Sequence, residues 1–408
     1  DPDALVLALD TALSNTFDSK FLTQEVELGY QYKREKLQLQ VEGQYQNAKL
    51  DNTQGFPMPF ELNRVFQSFQ PTFRLDYQFT NNTNFEFDYD TRTNEPNLRQ
   101  LQPVVDNSNP TQLYVGNPDL DQSYSNRLRI RFRSNNPETD ESWSLFSQAS
   151  FRRNAIVNSS FIASEPTEIQ DGIILEPGSQ LFQPVNVQGQ FDFRSWMSYG
   201  VPIGFIKSNL RLSVSSGINK RPTVVNGESG FNNSARISPG ISISSNISDK
   251  IDFNFQTRFS FNNVKNTINP TLDNTFFNQR VRLNFNWIIW QGIIYRMDLS
   301  HQVNSGLSDG FDTNFTLVNM SLGKKIFKNQ RGEISVNVFD LLNENNNIRR
   351  NVTESFIEDV QTNVLQRYFM LTFTYNIRRF SKGMDMDDYN DMINTEDQGG
   401  GRGRRGGI

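Results

Sequence analysis

The chain has 408 residues, a net charge of -5, 36 % hydrophobic residues and a mean hydropathy of -0.59, and no apolar stretch approaches the roughly 18 residues of a membrane helix. The acidic balance argues against nucleic acid as a partner, and the absence of Cys removes disulfides, thiolate metal sites and cysteine nucleophiles together. Yet the 34 Phe, 12 Tyr and 4 Trp do not suit a disordered chain; they suit strands whose alternate residues meet water and lipid, with a conventional globular β protein as the other possibility.

Alternation runs along most of the chain. Leu37, Leu39 and Val41 take one parity against Gln38, Gln40 and Glu42. The same pattern sets Ile251, Phe253, Phe255, Phe259 and Phe261 against Asp252, Asn254, Gln256 and Arg258. It returns in Val281–Ile289 and again in Phe369–Ile377. In a strand the two sets point to opposite faces, and the spacings of three and four that mark a helix are missing. About fifteen strands are predicted, at 21–33, 36–49, 66–79, 84–94, 123–134, 142–156, 187–200, 207–220, 234–247, 251–263, 276–290, 293–304, 313–327, 332–344 and 363–379. Most match the roughly 9–11 residues that a tilted strand needs to cross a bilayer.

Short turns at Lys33–Glu35, Thr80–Asn82, Val201–Lys207, Ser248–Lys250, Gln291-Gly292 and Lys328–Gly332 alternate with longer polar loops. The longest loops are 95–122 and 157–186, with shorter ones near 50–65, 221–233, 264–275 and 305–312. Periplasmic turns and extracellular loops segregate in this way in membrane barrels. If the last strand ends in the periplasm, an odd count makes the first strand run downward as well, with residue 1 outside the cell. Single-chain bacterial barrels have even counts, and no signal peptide opens the sequence. The expectation is therefore an odd number of strands ahead of residue 1 in a longer protein, with 1–380 a partial barrel. Residues 381–408, acidic and then Gly/Arg-rich, are expected to form a disordered periplasmic tail.

The polar parity carries Glu25, Glu27, Glu42, Arg74, Asp76, Asp192, Arg194 and Asp298, too many charges for a dry core but suited to a wet or plugged lumen. Its sharpest feature is Glu86, Asp88, Asp90 and Arg92 on one strand beside Arg127, Arg129, Arg131 and Arg133 on the next. Two readings stay open: a track or docking face for something anionic, or structural cross-strand pairing. Tyr30, Tyr32, Tyr77, Phe79, Trp143, Tyr199, Trp287, Trp290, Tyr295 and Tyr375 fall near strand ends and read as interfacial girdles, with sugar-stacking platforms as the rival. The only histidine, His301, falls on the apolar parity, and no catalytic role is expected of it. Asp309–Asp312 lacks calcium-loop spacing, and no phosphate loop or dinucleotide fingerprint is present. No enzyme and no cofactor are expected.

Three segments carry a resemblance. Val115-Gly116-Asn117-Pro118-Asp119-Leu120 resembles the Gly-Asn-Pro-x-Leu segment of TonB-dependent receptor barrels, Val338–Asn343 looks like their penultimate-strand signature, and Arg367–Asn376 is similar to their last strand. Ser305–Phe311 and Gly323–Gly332 also look like the outer-membrane β-barrel family of that type found in Bacteroidota, and the similarity runs through nearly all of 20–380. The resemblance implies a 22-stranded antiparallel transmembrane barrel in a Gram-negative outer membrane, filled by an N-terminal plug and importing a solute with energy relayed by TonB. Its partners would be membrane lipid, the plug, the TonB complex and in some cases a surface lipoprotein. A barrel with a structural, adhesive or assembly role is the alternative. The chain itself shows no plug or TonB-contact segment, and no ligand residues carry over.

Overall fold

The computed structural model describes residues 16–377, apart from 57–58, 171, 246, 249, 307–313, 328–330, 346 and 353–356. The expected acidic and Gly/Arg-rich tail and the Asp309–Asp312 cluster lie outside the described residues. Fifteen strands form one antiparallel meander in sequence order: β1 (Thr16–Arg34), β2 (Leu37–Phe56), β3 (Phe60–Thr80), β4 (Thr83–Asn94), β5 (Ser123–Asn136), β6 (Glu141–Arg153), β7 (Gln190–Ile203) and β8 (Ser208–Val225). It continues through β9 (Glu228–Ser245), β10 (Ile251–Asn266), β11 (Asn274–Ile288), β12 (Ile293–Ser305), β13 (Asn314–Ile326), β14 (Gly332–Phe339) and β15 (Tyr368–Tyr375). Each pairs with its wall neighbours in sequence, so the predicted strands and their order stand. Among the described residues, β1 and β15 each have one wall neighbour. An odd meander makes those two edges run the same way.

Several boundaries move, for local reasons. The loops expected near 50–65 and 221–233 are largely strand, because β2, β3, β8 and β9 reach 18–21 residues. Between β8 and β9 only Asn226 and Gly227 remain, at φ +49° and +80°, the left-handed pair that a two-residue hairpin turn requires. A short turn at 137–140, absent from the predicted set, joins β5 to β6. The strand predicted over 332–344 stops at Phe339. Asp340, fully buried at φ +51°, ends it, with its carboxylate accepting from the amides of Glu344 (3.0 Å) and Asn345 (3.2 Å).

The two faces of the sheet differ as the alternation requires. On the outward face, Trp143 packs against Tyr199 at 4.4 Å, and Tyr77 meets Phe79 edge to face at 4.8 Å, near the short-turn end. Phe151 meets Phe191 at 4.9 Å, and Phe261 meets Phe277 at 5.0 Å, toward the loop end. The girdle residues predicted from sequence all lie at the turn end; the second belt uses other aromatics. Trp143 and Phe151 share β6, and their separation is about 26 Å along the strand. At a tilt of roughly 35–45° this is about 20 Å of membrane depth, close to the ~25 Å apolar band of outer-membrane barrels.

The inner face is concave. One cavity of about 700 Å³ is lined by residues from every strand between β5 and β11. The long connections fold at the loop end, where polar extracellular loops were expected. The chain leaves the wall at Asn154 (φ +48°) and returns through Gly189 (φ +87°). Between these, Ala155–Ile162 pairs with Gln180–Val187, which pairs in parallel with Gln112–Val115 of the other connection. Leu101 and Leu120 of the first connection are fully buried with Ala48, Leu50, Leu62 and Phe66 of β2 and β3. Val105, Leu113, Ala163 and Leu175 form a second cluster. Their apolar side chains would be exposed on free loops; burying them joins both connections into one cap over the inner wall.

Candidate functional site

The predicted charge ladder forms. Register places Glu86 opposite Arg131, Asp88 opposite Arg129 and Asp90 opposite Arg127, because three consecutive same-face positions on each antiparallel neighbour must meet. Arg131 Nη1 lies 2.9 Å from Glu86 Oε2, and Arg129 lies 3.2 Å from Asp90 and 3.7 Å from Asp88. Arg127 lies 3.5 Å from Asp90, and Arg74 of β3 reaches Asp88 at 2.7 Å. The carboxylates are thus consumed by guanidinium groups on both sides. Arg133 stands apart: it faces Asn84, is exposed, and makes no ion pair among the described residues. This geometry is that of cross-strand pairing, and it leaves no free cation on β5 except Arg133.

Unpaired cations occur further along the same inner face. Following the register from Ser150, opposite Arg127, the face carries Arg152 on β6, Arg194 on β7, and Arg211 and Arg221 on β8. It continues with Arg236 on β9, Arg258 on β10, and Arg280 and Arg282 on β11. The acids sharing this face from β6 to β11 are Asp192, Asp252 and, at the loop-end tip of β9, Glu228. None of the eight arginines makes an ion pair among the described residues. Three have neutral partners: Arg152 donates to Ser125 Oγ (3.0 Å), Arg194 to Gln148 Oε1 (2.9 Å) and Arg280 to Gln302 Oε1 (2.8 Å). Arg258 stands directly opposite Arg280. A second cavity, of about 490 Å³, is lined by Arg211, Arg258, Arg280 and Arg282 together with Trp196, and its lining contains no carboxylate. Sequence reading placed several of these residues on the polar parity one strand at a time. Only the aligned register of six strands shows that they form a single surface with few acids in it.

The cap above this wall hangs on the segment Gly116–Leu120. The amides of Gly116 and Asn117 donate to the carbonyls of Gln102 (3.0 Å) and Gln100 (2.6 Å). A Cβ at Gly116 would lie 2.2 Å from the Gln102 oxygen, so only glycine permits that approach. Asn117 Nδ2 donates to Pro184 O (3.0 Å), and Arg64 Nη2 donates to Pro118 O (2.8 Å). Asn186 and the backbone of Asp121 exchange two bonds, at 2.7 and 2.9 Å. On the cap's surface, hydrogen bonds from the Ser108 hydroxyl and amide, with Arg99 nearby, hold the Asp106 carboxyl below its usual range.

His301 sits on the outward face as expected, its Nδ1 3.0 Å from Thr316 Oγ1. Among the described residues no group of His, Asp and Glu is arranged to hold a metal, and no helix is long and apolar enough to cross a membrane.

No curated protein matches the chain. Among solved structures it is similar to OmpT (in-vitro folded), an outer membrane protein of Vibrio cholerae. The two are 7 % identical over 76 % of this chain and 94 % of that one, with a TM-score of 0.24. The model of the outer membrane protein beta-barrel family matches residues 59–375, from the start of β3 to the last residue of β15. With an antiparallel wall, an outward apolar face bounded by aromatic belts and a charged inner face, this chain belongs to that family and resides in the outer membrane of a Gram-negative bacterium.

Proposed function

We propose that the chain forms the wall of an outer-membrane transporter of TonB-dependent-receptor type, which takes up a solute captured at its loop end. The observation that supports this reading is the inner face: charged and concave across its strands, and covered at one end by a folded cap. Barrels of about eight strands fill their interiors with side chains, whereas those of sixteen or more leave a channel or hold a plug. Fifteen wall strands are already near that range, and their inward residues are mostly hydrophilic apart from the apolar patch of β2 and β3 that the cap covers. In hydrocarbon every backbone group of a strand needs a partner, so a wall of this kind works as a closed barrel. In this reading a plug fills the lumen, TonB supplies the energy, and a surface lipoprotein partners the loop end. No catalysis is assigned to the barrel.

The test is uptake by cells carrying or lacking the gene, measured with and without a protonophore. Gene-dependent uptake that collapses with the proton gradient is expected. If deletion changes no uptake but lowers surface attachment or disturbs membrane assembly, the transport reading fails and a structural or adhesive role takes its place.

A further inference from the structure

We propose that the arginine-rich inner wall from β6 to β11 binds an anionic solute bearing two or more carboxylate, phosphate or sulfate groups, and guides it from the cap end toward the turn end. The proposal rests on the transport reading and names its substrate class.

Three observations carry it. First, the charge on this stretch is one-sided: eight arginines against three acids on the same face, Asp192, Asp252 and Glu228, the last at the loop-end tip of β9. A surface that is merely solvated mixes both signs. Second, the neighbouring stretch of the same wall shows what pairing looks like, with Glu86, Asp88 and Asp90 taken up by β4–β5 contacts. Between β6 and β11 no such acids face the arginines, and Arg258 is set directly opposite Arg280. Like charges facing each other across a ladder are unfavourable, and an anion between them reverses the sign of that interaction. Guanidinium forks match oxyanions with two parallel hydrogen bonds.

Third, the arginines are arranged in sequence along the wall. Arg152, Arg194, Arg221 and Arg236 line the cavity of about 700 Å³ toward the loop end of the wall. Arg211, Arg258, Arg280 and Arg282 line the one of about 490 Å³ that extends toward the turns. Both volumes lie within the usual range for small-molecule sites. Successive sites of moderate strength are what passage requires, since one tight site would retain its ligand. Trp196, facing inward in the second cavity, places a fluorescent reporter beside the proposed centre.

Full-length protein in detergent micelles would be titrated with pyrophosphate, with citrate, and with maltotriose as a neutral control, reading tryptophan emission and calorimetric heat. The variants are R258Q/R280Q and R211Q/R282Q, with R133Q as a cation outside both cavities. Saturable binding of either anion, weakened roughly tenfold or more by each double variant and unchanged by R133Q, is expected. Thermal stability of R258Q/R280Q should be equal to or above that of the wild type, because the substitution removes facing like charges; this separates a binding role from a structural one. Anion binding no stronger than that of maltotriose, or insensitive to both double variants, overturns the proposal. So does a double variant that destabilises the protein while anion affinity stays unchanged, which would point to an acidic plug surface as the natural partner of these arginines. Energy-dependent uptake confined to neutral solutes would remove the anion site but leave the transport reading standing. Intact anion binding without any uptake would do the reverse.

Discussion

Replacing Leu120 with Ala probes whether the two long connections act as a single cap. Leu120 and Leu101 are both at 0 % exposure, packed on Ala48, Leu50, Leu62 and Phe66 of β2 and β3. A buried Leu→Ala change costs about 2–5 kcal/mol, with the larger values where the surroundings cannot collapse into the cavity. Here one side is a continuous ladder running from Leu37 opposite Tyr77 to Gln54 opposite Phe60, which cannot close inward, while the cap side can shift. A middle value of about 3 kcal/mol follows. Because the cap is a local unit, the loss should appear as local opening rather than unfolding of the wall. At about 1.4 kcal/mol per decade this raises the open population on the order of a hundredfold. Hydrogen exchange read by mass spectrometry on the full-length protein in lipid should therefore accelerate in peptides containing Gly116 and Asn117. It should also accelerate around 180–187, which is tied to them through Asn117–Pro184 and Asn186–Asp121, while β10 and β11 stay protected. Faster exchange confined to the immediate neighbourhood of residue 120, with 180–187 unaffected, would refute the single-cap argument.

Three further outcomes follow from the geometry. L283R and N284R place the same charge on opposite faces of β11. The first should lose about 2–4 kcal/mol near mid-membrane and the second little, as read by urea unfolding in liposomes; equal losses would contradict the face assignment. D88A removes the shared partner of Arg74 and Arg129 and should cost about 1–3 kcal/mol, moderated because Arg74 is largely exposed to water; an unchanged unfolding midpoint would show the ladder to be energetically idle. The Asp106 carboxyl, held low by Ser108, contributes cap stability that is fully present above the ordinary carboxylate pKa and is lost as pH falls through its lowered value. Carbon-13 titration should show S108A moving the carboxyl upward toward its usual range, and no movement would remove Ser108 as the cause.

What could be read directly from the residues was whatever depends on neighbours along the chain. Period two in runs such as Val281–Ile289 marks strands and assigns their faces, and short turns force sequential antiparallel pairing. Adjacent strands therefore came out in the right order, and the opposition of Glu86, Asp88 and Asp90 to Arg127, Arg129 and Arg131 followed from alternation alone. The Asn226-Gly227 turn was also legible in principle, being a local backbone signal, although the polar residues around it suggested a longer loop. The inward cap was not legible. It depends on Gln112–Tyr114 pairing with Gln180–Phe182, and nothing local selects a parallel partner almost seventy residues away. The arginine wall was hidden for a related reason. Each residue is an ordinary polar position on its own strand, and a one-sided field exists only after six registers have been stacked and the acids found to be elsewhere. Periodicity is a property of one strand, while cavities and electrostatic surfaces are sums over many, so only the assembled sheet could decide them.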